Sequence, residues 1–421
     1  MAYPRMVRVR QKFNTKPMKD IPGAVKKELA KLNLQEIISS GSSVAVTAGS
    51  RGIANIATVT STVVTELQAV GAKPFIIPTM GSHGGATAEG QKKVLAEYGI
   101  TSKAMGVPIR ATMEVVKVGA TPDGLPVFLD KYAHGADHIV VVNRVKPHTD
   151  FKAEIESGLM KMMTIGLGKQ KGADLYHRGV VQYGYYHIIL TVGREIIKRC
   201  PIAFGLCLVE NQRDETALVR AVRPPDIEET DRTLLRKAKR LLPRIPFDNI
   251  DLLIVDQIGK EISGAGMDPN VIGRNVVPFA KFPPIPKIIR IFVRDLSEHT
   301  YGNAIGIGNA DFTTKRLVDK VDPRPSHMNA MTACAPEAVR IPAYYDSERE
   351  VLDTTFRTLG LVEPGQARIV HISDTLRLEE MEVSEAIAAE AREHAGVSII
   401  GKPHPMAFDG KGNLVSNLRL H

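Results

Sequence analysis

The feature that most restricts the fold of this chain is a series of short, wholly apolar segments separated by stretches of helical periodicity. Residues 43–48 read SVAVTA, 73–78 read KPFIIP and 138–142 read HIVVV. Each has strand length and none alternates apolar with polar residues, so each is expected to be buried on both faces. Between them, 56–70 carries apolar residues at helical spacing, and 87–98 reads as a helix entered from a glycine-rich loop. Such alternation implies a mostly parallel sheet with helices on both faces. Ligands of these sheets bind beyond the carboxyl ends of the strands. Chemistry is therefore expected in the loops after Ala48, Pro78 and Val142.

The pattern restarts downstream. Further strands are expected at 251–255 (DLLIV), 288–293 and 367–372, and a charged, proline-containing stretch at 223–245 separates the two regions. The expected fold class is α/β, with two α/β domains, mostly parallel sheets and an active site in the cleft between them. The division read from the sequence is 1–235, a catalytic and cofactor-binding domain; 247–385, a second α/β domain; and 386–421, a helix and tail able to pack back on the first domain. A length of 421 residues, 43% of them hydrophobic, accommodates two such cores without disulfides.

Composition excludes several classes. The three cysteines, Cys200, Cys207 and Cys334, form no CxxC pair, which argues against a disulfide framework or a cysteine-rich metal site. The first residues, MAYPRMVRVRQKF, lack the apolar core of a signal peptide. No apolar run reaches the roughly 18 residues needed to span a bilayer. A reduced, cytoplasmic protein without a membrane partner is expected. The net charge is +9, but the densest basic stretch, 232–244, is interleaved with leucine at helical spacing and reads as the solvated face of a helix. With 5% aromatic residues and no tryptophan, a nucleic-acid groove is not expected. A modest positive excess suits a small anionic substrate or a phosphate-bearing cofactor.

Three loops carry candidate chemistry. The first, 47–55 (TAGSRGIAN), leads from strand to helix. Backbone N–H groups at a helix start favour anions, and Arg51 adds a planar fork suited to a carboxylate or phosphate. The second, 78–90 (PTMGSHGGATAEG), has glycines at 81, 84 and 85 that allow close backbone approach, and His83 is placed as a general base. The third stretch, 143–179, holds His148 after a proline, Lys161 among apolar residues in SGLMKMMTIGLG, and His177 in DLYHRG. A lysine in apolar surroundings loses charge stabilisation and becomes a usable nucleophile or attachment point. Lys152, Lys161, Lys169 and Lys171 together could bind an anion. His134, His138, His187, His299 and His327 lie in no motif and read as structural.

Taken together, these stretches resemble the N-terminal catalytic domain of the nickel-pincer nucleotide-dependent lactate racemase family. The Arg51 loop is similar to the family's loop ending in arginine. GSHGGAT resembles its glycine–X–histidine loop and KPHTDF its second histidine loop, which puts His83 and His148 at the two catalytic histidines. SGLMK resembles the family's Ser–Gly–Gly–X–Lys segment, which puts Lys161 at the lysine joined covalently to the cofactor. His177, sixteen residues on, falls at the nickel-ligating histidine. The resemblance is strongest over residues 40 to 180.

What the resemblance implies is a racemase or epimerase that inverts C2 of a 2-hydroxy acid by hydride transfer to and from a covalently bound nickel-pincer nucleotide. The cofactor is a pyridinium-3,5-bisthiocarboxylic acid mononucleotide of nickel. Gly81, Ser157 and Gly158 would adjoin it, and Arg51, with Lys260 from the second region's GKEISGAGMD loop, would hold the substrate. A side-chain base cannot remove the C2 hydrogen, so an electron sink is required. Two histidines suit a reaction whose enantiomers present hydroxyls on different sides. Departures from the family pattern fall on substrate positions: Ala48 replaces an aspartate, Gly84 replaces an arginine, and the interval from His148 to Lys161 is longer. Lost bulk at Gly84 and Gly85 would make room for a longer hydroxy acid such as an aldonate. The alternative from the residues alone is a nucleotide- or phosphate-binding ligase or transferase using the glycine-rich loops, although no Walker A lysine pattern is present. A non-enzymatic basic binding module is a third reading.

Overall fold

The computed structural model describes residues 3–13, 15–50, 52–278, 280, 282 and 285–418. Chain order and sheet order part company at the first strand. Strand β1 (Arg5–Gln11) pairs with segments near the end of the chain. By Cα proximity the chain forms two units: Thr15–His148 with Lys152–Leu242, and Met1–Asn14 with Thr149–Phe151 and Pro243–His421.

The unit built from Thr15 onward holds β2 (Ser43–Ala48), β3 (Lys73–Pro78), the hairpin β4 (Val115–Ala120) and β5 (Pro126–Asp130), then β6 (His138–Arg144), β7 (Ile202–Glu210) and β8 (Thr216–Val222). Its main sheet has the order β3-β2-β6-β7-β8. The first four strands are parallel and β8 returns antiparallel. The apolar runs are buried as expected, with Val44, Val46, Ile76, Val140 and Val142 fully enclosed. The helix Ile56–Ala69 covers one face with Val59, Val63 and Leu67. From β2 the chain crosses to β3 on one side, and later enters β6 on the other. The carboxyl ends of β2 and β6 therefore flank a point where strand order reverses, where α/β sheets open a crevice.

The second unit's strands are β9 (Asn249–Ile258), β10 (Lys287–Leu296), β11 (Phe312–Thr314), β12 (Ala343–Tyr345), β13 (Ile369–Ile372), β14 (Glu380–Ser384), β15 (Val397–Ile399) and β16 (His404–Pro405). They run β12-β11-β10-β9-β13-β14-β1-β15, with β16 also on β1. β12 through β13 are parallel, whereas β14, β1, β15 and β16 pair antiparallel. This differs from the linear division read from the sequence. Residues 3–13 do not build the first unit's sheet, and the segment after 385 packs in the second unit, because Met6, Val7 and Val9 are buried by main-chain pairing to β14 and β15. A buried ionic cluster sits in this unit: His371 Nε2 lies 2.6 Å from Asp256, its Nδ1 3.3 Å from Glu382, and Arg294 bonds both Asp256 and Glu348.

Candidate active site

Strand register brings the three loops together. Ala48 lies opposite Pro78, and Val46 opposite Val140, so the first, second and third loops leave one edge of the sheet side by side. Thr79 binds the first two to each other, its N–H donating to Ala48 O (2.7 Å) and its hydroxyl accepting from Ala48 N–H (3.1 Å). Arg51, expected to hold the substrate, lies outside the described residues.

His83 is half-buried and its Nδ1 is 2.5 Å from Ser50 Oγ. Ser50 is held in turn, since Tyr98 Oη donates to its carbonyl at 2.9 Å. The loop follows β3 and precedes the helix Ala88–Glu97, whose first turn is capped by Thr87 accepting from Gly90 N–H. Gly84, at φ +68°, is pressed against that helix: a Cβ there would lie 2.6 Å from Gln91 N. Main-chain packing dictates the glycine, so its small size does not open room for a longer substrate, contrary to the sequence expectation. Gly85 has no atom within 4 Å of its Cβ position and keeps that space.

The third stretch is pinned at many points. Asn143 Nδ2 donates to Gly158 O (2.7 Å), and Ser157 Oγ both accepts from Lys146 N–H (2.7 Å) and donates to Lys146 O (2.6 Å). Fully buried Glu156 accepts from His148 N–H at 2.9 Å and from Ala153 N–H at 3.0 Å, and pairs with Lys239 at 2.6 Å. Gly158 adopts φ +85°, and a Cβ there would collide with the Asp231 carboxylate. That buried carboxylate, from the helix Ile227–Leu241, accepts from the N–H groups of Leu159 (3.1 Å) and Met160 (2.8 Å). Burial pushes its pKa up to about 7 against the pull of the two N–H donors. The short helix Gly158–Lys161 thus begins on a fixed anchor and ends on Lys161, half-buried, before a π-turn at Met162–Gly166. The helix Lys169–Tyr183 follows and carries His177, also half-buried.

Contacts gather these residues in one place. The Cβ position of Gly49, in the first loop, faces Met162 Cε at 3.1 Å, and that of Gly81, in the second, faces Ile165 Cγ2 at 3.4 Å and Ala173 Cβ at 3.5 Å. The ring of Tyr185 lies 5.5 Å from that of His148 and 6.3 Å from that of His177. The loops bearing Ser50 and His83 thus border the turn that follows Lys161, His148 and His177 each lie beside Tyr185, and Ser157 and Gly158 shape the turn that precedes Lys161. Ser50 and Tyr185 join the site without standing out in the sequence; a serine next to the candidate arginine is the available signal for the first, and none marks the second.

One expectation changes. The four lysines do not form one anion-binding cluster. Lys169 is fully buried and bonded to Pro78 O and Gln91, Lys152 donates to His148 O and pairs with Glu156, and Lys171 lies over the Phe128 ring at 4.8 Å. A lysine that reads as solvent-facing is drawn inward because Asp130 and two carbonyl-type acceptors wait there. Lys260, in the other unit, donates its N–H to Thr300 Oγ1 at 3.1 Å and its ammonium to Asn329 Oδ1. Among the described residues no group of three or more His, Cys, Asp or Glu could by itself hold a metal ion, and no helix is long and apolar enough to cross a membrane.

A mostly parallel α/β sheet with histidines and a lysine gathered at its carboxyl edge defines the class. The particular relationship comes from comparison. Residues 5–184 match the family model of the lactate racemase N-terminal domain. The match spans every candidate residue except Lys260. The chain is similar in structure to the lactate racemase apoprotein from Thermoanaerobacterium thermosaccharolyticum, with a TM-score of 0.53 at 13% identity, covering 87% of this chain and 94% of that one. It is also similar to a protein from Thermotoga maritima, with a TM-score of 0.50 at 14% identity, covering 82% and 93%. At such identities the likeness is one of fold. No curated protein matches.

Proposed function

We propose that this protein is a racemase or epimerase of 2-hydroxy acids that works with a nickel-pincer nucleotide joined to Lys161. What supports the reading is that the loop bearing His83 packs on the turn after Lys161 and that His148 and His177 both lie beside Tyr185, with all four residues inside the segment that matches the lactate racemase N-terminal domain.

The donor set fits the group. It brings three ligands of its own, so one protein imidazole suffices, and the absence of a three-residue metal cluster among the described residues is compatible with it. A half-buried amine on a turn anchored by Asp231 is a suitable attachment point, and His177 would supply the imidazole. When bound, the group would supply the electron sink that inversion at C2 requires and that no side chain provides. The chain's residues hold and move protons. With the Nδ1 proton of His83 donated to Ser50 Oγ, its Nε2 lone pair becomes the acceptor for the substrate hydroxyl proton. His148, fixed through its main chain to Glu156 and flanked by Tyr185, serves the opposite enantiomer. Arg51 would bind the carboxylate. A hydroxy acid longer than lactate, such as an aldonate, is the proposed substrate class.

The test is the intact mass of wild type and Lys161→Ala made in a host carrying the cofactor-synthesis enzymes and shown to load a known lactate racemase. A cofactor-sized adduct on wild type, absent from the variant, is expected. No adduct on either protein would remove the reading.

A further inference from the structure

Lysine is among the residues least often buried, and Lys169 is completely enclosed. It also adopts φ +54°, a backbone conformation uncommon for a long side chain. Its ammonium donates to Pro78 O at 2.8 Å and to Gln91 Oε1 at 2.6 Å, with Asp130 Oδ2 at 3.6 Å. Gln91, equally enclosed, donates from Nε2 to Gly81 O at 2.9 Å and to His83 O at 3.2 Å. Chemistry fixes the amide's orientation, since only its oxygen can face an ammonium and only its nitrogen can face two carbonyls.

The network runs in one direction, from the first residue of the helix bearing His177 to the loop bearing His83. It meets that loop at Pro78, Gly81 and His83. The same histidine donates its N–H to Met80 O (3.1 Å) and holds Ser50 at Nδ1. We propose that Lys169 and Gln91 are positioning residues for His83, setting its main chain relative to the helix that carries His177. This rests on the reading of His83 given above. A buried ion pair is a poor means of gaining stability, because an apolar pair of similar volume packs as well. Its use in fixing one geometry accounts for a charge placed here. Burial lowers the pKa of Lys169 against the pull of Asp130 and raises that of Asp130 against the pull of the lysine.

Gln91→Glu is the discriminating variant, because it keeps an acceptor for Lys169 and removes both donors to the loop. Gln91→Met is the second, neutral one. Each is compared with wild type by carbethoxylation with diethyl pyrocarbonate, following His83, His148 and His177 separately by peptide mass spectrometry. Far-ultraviolet circular dichroism confirms the fold. The expected result is His83 labelling several-fold faster in both variants, with His148 and His177 unchanged. An unchanged His83 rate in a folded variant overturns the proposal, and so does a uniform rise at all three histidines, which would mean general loosening. In the cofactor-loaded enzyme kcat should fall about 10-fold or more with KM little changed, since small displacements of a catalytic group are costly. Faster His83 labelling without loss of turnover would leave the positioning intact and refute the catalytic reading of His83 instead.

Discussion

Replacing Asp231 by asparagine should change how stability depends on pH, with a sign that follows from its surroundings. The carboxyl is fully buried, and burial raises its pKa from 3.8 to about 7 despite the N–H groups of Met160 and Leu159. The folded state therefore holds this proton more tightly than the unfolded state. The contribution is fully present below the unfolded value near 3.8 and is lost as pH rises through 7. A difference of about three units corresponds to about 4 kcal/mol, at roughly 1.4 kcal/mol per unit. The substituted amide carries no charge at any pH, but can offer an acceptor to only one of the two N–H groups, a constant loss of about 1–3 kcal/mol. Urea unfolding followed by circular dichroism between pH 4 and 8 should show wild type declining relative to the variant up to about pH 7 and running parallel to it above. Curves parallel over the whole range would refute the assignment of a proton to Asp231.

Gly84→Ala should be strongly destabilising, because its Cβ would meet the main chain at 2.6 Å, whereas Gly85→Ala at φ +63° should cost only about 1 kcal/mol; thermal melts compare them. His371 is fully buried, which would lower its pKa, but Asp256 and Glu382 raise it to about 9. Its stabilisation is complete below about pH 6.5 and lost as pH rises through 9, so His371→Gln should abolish a stability decline seen in wild type over that window. Tyr185→Ala should cost about 3 kcal/mol or more as a buried aromatic truncation. In loaded enzyme it should also lower turnover by freeing the rings of His148 and His177; unchanged turnover would show that the ring only fills space.

The parts of this structure that are legible in the sequence are those whose physics is local. β2, β3 and β6 are buried on both faces, so they read as unbroken apolar runs, and the loops after them carry the histidines and Lys161 in plain sight. Gln91 looks like any glutamine on a helix, and Lys169 like any lysine at a helix start. Their roles come from carbonyls brought close by folding, not from neighbours in the chain. Gly84 misleads for the same reason: a missing side chain in the sequence does not show whether ligand or main chain fills the space. The destination of β1 is equally hidden, since MVRVR alternates well enough to be a strand but does not name its partner.

That partner lies far away in time as well as in sequence. Val9 pairs with Met381, which is 372 positions later, so during synthesis the first strand leaves the ribosome long before anything it can bond to exists. At typical elongation rates the wait is roughly 20 to 75 s. Throughout it, a strand with an apolar face and unsatisfied main-chain groups stays open to other chains. The vectorial order of translation thus delays the pairing of β1 until residues 380–399 have been made.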